Sequence, residues 1–91
     1  MKKVFKYMGY KTFPLNGDFM ALAINAMRER GDWDSFSYFV YHEKMGIKQY
    51  DKDTRKHFMP LLFGNPQKFF ELMEEWLVRF ELVLKKEASH D

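Results

Sequence analysis

The chain has no cysteine, and that single absence removes disulfides, thiolate zinc sites and a cysteine nucleophile. It also suits a reducing compartment. No apolar run approaches the roughly 18 residues that a membrane-spanning helix needs. Lys2-Lys3 starts like a signal-peptide n-region, but Phe5-Lys6-Tyr7-Met8-Gly9-Tyr10-Lys11 interrupts any apolar stretch behind it. Together these features predict a soluble, cytoplasmic protein with no membrane partner. The β-branched aliphatics are scarce too: Val4, Val40, Val78, Val83, Ile24 and Ile47. Sheets favour branched side chains on their pleated faces, so a sheet has little to build on.

Serine is confined to Ser35, Ser37 and Ser89, and the glycines stand singly at Gly9, Gly17, Gly31, Gly46 and Gly64. No glycine-rich phosphate loop exists among them; they read as turn and cap residues. What the chain has in quantity is aromatic and unbranched apolar mass, with 10 Phe, 7 Met and 19% aromatics over 91 residues. Leu, Met and Ala cost little in a helix. The expectation is an all-α, or nearly all-α, single domain over residues 1–91 with four to five helices.

The strongest helix signal runs from Asn65 to Glu87. Asn65 is a good N-cap, and Pro66 suits the first helical position, where its missing N–H is no loss. At about 100° per residue, Phe69, Phe70, Leu72, Met73, Trp76, Leu77, Phe80, Val83 and Leu84 share one broad face. Glu71, Glu74, Glu75, Arg79, Glu81, Lys85 and Lys86 take the other. Val78 and Leu82 break the order, one turn apart inside the charged face, and point to a second contact surface. Residues 88–91 read as a frayed tail.

Upstream, Asn16-Gly17-Asp18 marks a helix start and Gly31 a stop, with Phe19, Met20, Ala23, Ile24 and Met27 as the apolar stripe. Asp32 or Asp34 then caps a helix reaching about Met45, with Gly46 as its stop. This helix carries apolar groups on two sides: Phe36, Phe39 and Val40 on one, Tyr38, Tyr41 and Met45 nearly opposite. A short helix is expected after Asp51, Asp53 or Thr54, ending near Pro60. Residues 1–15 read as a short edge strand or an extended arm, since Gly9 would weaken a strand interior.

Charge alternates along the chain. Residues 1–16 carry Lys2, Lys3, Lys6 and Lys11 without an acid, while residues 17–43 hold five acids against Arg28 and Arg30. Residues 44–68 are basic again, and residues 69–91 hold six acids against three bases. Complementary pairing between blocks within the fold is the simplest expectation for a net charge of only +2.

The motifs that would carry chemistry fail at defined positions. His42-Glu43 opens like a zincin helix, but Gly46 stands where the second histidine is needed. Asp51-Lys52-Asp53 opens like a calcium loop, but Lys56 replaces the turn glycine and Leu62 the terminal acid. Asp51, Asp53 and His57 then read as a solvated charged face, and no metal or cofactor is expected. Ser35 and His42 lie two helical turns apart, about 10 Å, too far for base activation. His42 beside Tyr38 reads as a surface tyrosine–histidine hydrogen bond, and no enzyme activity is expected.

Two binding readings remain. The first is a small non-enzymatic accessory or regulatory protein that binds a protein partner or itself, as a homodimer. Its candidate contacts are Val78 and Leu82, or the Tyr38, Tyr41 and Met45 face, because apolar pairs that avoid water need a partner. The second is nucleic-acid binding, through Lys2, Lys3, Phe5, Lys6, Tyr7, Tyr10 and Lys11 with Lys48, Lys52, Arg55 and Lys56, where rings would stack on bases. The short helix, the Phe63-Gly64-Asn65 turn and the long helix also outline a helix-turn-helix. Glu71, Glu74 and Glu75 on the would-be recognition helix would face phosphate, which favours the first reading.

Overall fold

The structure is a computed structural model that describes residues 1–46 and 62–88, with backbone alone for 81–88. The short helix expected after Asp51 and the outline of a helix-turn-helix fall outside the described residues. Within them the fold is all-α: α1 (Lys2–Met8), α2 (Gly17–Arg30), α3 (Trp33–Tyr38) continuing into a π-helical segment (Phe39–Lys44), and α4 (Pro66–Ala88). No strand occurs among the described residues. Buried side chains from all of these elements meet along α4.

The N-terminal segment corrects the expectation of a strand or arm. Lys2–Met8 is helical, with Val4 fully buried and Lys2 and Lys6 exposed. Gly9 ends the helix at φ 81°, where its N–H donates to Lys6 O at 3.1 Å and the Tyr10 N–H donates to Phe5 O at 2.9 Å. Both bonds depend on the left-handed conformation that glycine adopts without a Cβ penalty. Seven residues are too few for a stable isolated helix. The other end is capped from far along the chain: Lys3 N–H donates to Glu74 Oε1 at 3.1 Å and Val4 N–H to Glu74 Oε2 at 2.8 Å. A carboxylate accepting two orphan N–H groups is a charge-assisted cap, favoured further by the helix dipole.

Residues 9–15 leave α1 without regular structure and deliver Phe13 into the core. Its ring lies 4.8 Å from those of Phe5 and Phe19 and 5.3 Å from that of Phe70. Asn16 then caps α2 as expected, its Oδ1 accepting the Phe19 N–H at 3.0 Å. Met20, Ala23 and Met27 are buried on the predicted stripe. Gly31 and Asp32 close α2 as α1 is closed, with Asp32 N–H donating to Met27 O at 2.8 Å.

Asp32 occupies the N-cap position of α3, but its side chain does not cap the helix. Its Oδ2 instead accepts the Tyr7 hydroxyl at 2.7 Å. After Tyr38 the helix widens, and the Met45 N–H donates five residues back to Val40 O at 3.1 Å. Tyr41, expected opposite Phe36 and Val40, is 0% exposed, yet it lies outside the core cluster that those two residues join.

α4 begins as predicted, with Asn65 Oδ1 accepting the Lys68 N–H at 3.2 Å and Pro66 at the first position. Phe69, Phe70, Leu72, Met73, Trp76 and Leu77 are buried, as the periodicity requires. Phe80 departs from it: placed on the core face by the same pattern, it is 38% exposed. Its ring borders a gap between α4 and the Tyr38–Phe39 side of α3 and the π segment.

Candidate protein-interaction surface

α3, the π segment and α4 line an open cleft of about 330 Å³. Tyr38 and Phe39 form one wall, Trp76 and Phe80 the other, with Ser35, Glu43 and Arg79 completing the lining. The Trp76 indole is fixed by donating Nε1–H to Ser35 Oγ at 3.1 Å, and its ring centroid lies 5.7 Å from those of Phe36 and Phe80. An exposed Glu43–Arg79 ion pair bridges the two walls. The Tyr38 and His42 rings stack at 4.9 Å and 12°, where the sequence suggested a hydrogen bond. Two large rings, Tyr38 at 50% and Phe80 at 38%, thus stand open to water beside two that are almost sealed. Unlike a scattered surface hydrophobe, such a contiguous apolar opening is characteristic of contact sites.

No family model, curated protein or solved structure matches the chain.

The candidate residues scatter around this cleft. Tyr38 lines it; Tyr41 is buried and offers nothing to a partner. Met45 sits in a separate, more polar cleft of about 400 Å³ with Lys44, Leu62, Asn65, Lys68, Leu72 and Glu75. There Lys44 Nζ lies 2.7 Å from Glu75, a pairing between oppositely charged blocks of sequence. Val78 is 40% exposed but lies on a different side of α4 from Trp76 and Phe80. Leu82 is on the helix backbone beyond the described side chains. Trp76 and Phe80 were read as core, and Phe39, Glu43 and Arg79 carried no signal of a site.

The rings proposed for base stacking make contacts within the protein, although Tyr10 remains 45% exposed. Phe5 packs on Phe13, Tyr7 meets Trp76 edge-on at 6.1 Å, and Tyr10 lies 5.7 Å from both Phe13 and Phe19. Tyr7 is held on its other side by the Arg30 guanidinium, 4.1 Å from the ring centroid. Burial, and then the hydrogen bond to the Asp32 carboxylate, push its hydroxyl pKa from 10.0 up to about 12. Lys2, Lys6 and Lys11 are exposed, while Lys48, Lys52, Arg55 and Lys56 fall outside the described residues. No three His, Asp or Glu side chains converge in a metal-binding group among the described residues. No described helix is long and apolar enough to cross a membrane.

Proposed function

We propose that this protein is a small non-enzymatic interaction module that binds protein through the aromatic cleft between α3 and α4. The carrying observation is the pair of open rings, Tyr38 and Phe80, set over the nearly sealed Trp76 and Phe39. Aromatic side chains give large contact area for little conformational entropy, and interface cores are enriched in them. The hydrogen-bonded Trp76 and the Glu43–Arg79 bridge hold the walls in place before binding, which lowers the entropy lost on association.

A photo-reactive residue in place of Tyr38 tests this in the cells that make the protein, with exposed Asp18 on α2 as the control position. The expected result is a discrete protein adduct from position 38 alone. Equal labelling from both positions, or no adduct from position 38, overturns the reading.

A further inference from the structure

Part of the basic charge near the start of the chain stays unmatched within the fold. Lys2 and Lys6 are exposed on α1, and exposed Arg30 ends α2. None of the three pairs with a carboxylate among the described residues. Glu74 gives its two oxygens to the Lys3 and Val4 N–H groups, and Asp32 gives Oδ2 to the Tyr7 hydroxyl. Glu43 and Glu75 hold Arg79 and Lys44. At the helical angle Lys2 and Lys6 lie about 40° apart, with Tyr7 about 100° beyond Lys6. Arg30 stacks on that Tyr7 ring, 4.1 Å from its centroid, so the basic face runs on from α1 to the end of α2.

This face works against the helix that carries it. Like charges one turn apart repel, and the first turn of α1 has no acid to offset Lys2. Seven residues are marginal as a helix, so a repulsive face points to a use outside the fold. The face also lacks an apolar anchor: Val4 is fully buried, and Phe5, Tyr7 and Met8 pack against the core. A lipid surface or the centre of a protein interface calls for such an anchor. A nucleic-acid backbone does not, because its closely spaced phosphates release counterions wherever cations meet them. We propose that Lys2, Lys6 and Arg30 bind the phosphate backbone of nucleic acid without reading its sequence. The contact is separate from the aromatic cleft and uses no stacked base.

Fluorescence anisotropy of the full chain with short labelled DNA duplexes of two unrelated sequences tests the proposal, with circular dichroism to show that each variant is folded. Both duplexes should bind alike at low salt. The logarithm of affinity should fall against the logarithm of salt concentration with a slope of about −2.7, as three phosphate contacts require. Lys2→Ala and Lys6→Ala should each reduce that slope by about 1, a change that a merely structural role would not produce. Lys68→Ala, exposed at the start of α4, should leave it unchanged. Vesicles containing phosphatidylserine should bind more weakly than the duplexes at equal salt. No binding at low salt overturns the proposal, as does tighter binding to the vesicles. A slope indifferent to Lys2→Ala and Lys6→Ala, or moved as much by Lys68→Ala, overturns it too.

Discussion

Two aromatic clusters of this protein are built from similar residues and differ in where their exposed rings stand. In the first, Phe5, Tyr10, Phe13, Phe19 and Phe70 pack on one another across α1, the 9–15 connection, α2 and α4. Phe13 is closed in at the centre at 6% exposed, and Tyr10 stands at the rim at 45%. In the second, Tyr38, Phe39, Trp76 and Phe80 line a cleft that nothing described in the chain fills. The exposed rings of the second cluster, Tyr38 and Phe80, therefore face each other across an open gap, whereas Tyr10 lies against Phe13 and Phe19. Ring content alone does not distinguish a closed cluster from an open one; the arrangement of the elements that carry the rings does.

The sharpest way to break this comparison is to truncate one ring from each cluster. Phe13→Ala, in the closed cluster, should destabilise the fold by about 3–5 kcal/mol in denaturant unfolding. Phe80→Ala, on the open one, should cost less, about 1–2 kcal/mol, because 38% of its surface is already in water. Equal midpoint shifts for the two would remove the distinction.

A smaller effect tests what holds the cover of the closed cluster in place. Glu74→Ala removes the carboxylate from the N–H groups of Lys3 and Val4 and should cost about 1.5–3 kcal/mol. Amide hydrogen exchange should accelerate first in α1, while the second half of α2 stays protected. Unchanged exchange in residues 2–8 would mean that burial of Val4 suffices without the cap.

The Tyr7 latch connects the two regions, since its ring touches Trp76 while its hydroxyl meets Asp32. Tyr7→Phe should cost about 1 kcal/mol. Its pH signature has a definite sign: the folded state holds the phenolic proton more tightly than the unfolded state. Stability from this group is thus complete below pH 10.0 and is lost as pH rises through about 12. Alkaline unfolding of wild type should show this loss, and Tyr7→Phe should not.

The smallest effect expected is at Ser37 on α3, fully buried with an Oγ that lacks a hydrogen-bond partner. Ser37→Ala should leave stability unchanged or raise it by about 1 kcal/mol, because an unsatisfied buried hydroxyl is removed. A loss beyond that range on thermal unfolding would show that the hydroxyl is satisfied in solution.

Helix ends and the faces of α2 and α4 were legible because their causes are local. Asn16, Asn65 and Pro66 act within one turn, Gly31 ends α2 through its own φ of 77°, and Met20, Ala23 and Met27 follow the helical repeat. The α1 helix was not legible, because its cap is a glutamate 70 residues away that sequence assigns to a solvated face. The cleft was half legible: Tyr38 stood out as an apolar residue on the wrong side, whereas Trp76 and Phe80 looked like core.

The sequence by itself determined the all-α class and the apolar stripe of each long helix, since these depend on composition and spacing alone. The tertiary structure alone decided that Tyr41 is buried and Phe80 exposed, and that Glu74 caps a helix. Those outcomes depend on which elements pack beside each residue and which backbone amides lie opposite. Each is a relation between distant parts of the chain, and a helical repeat records only relations within one element.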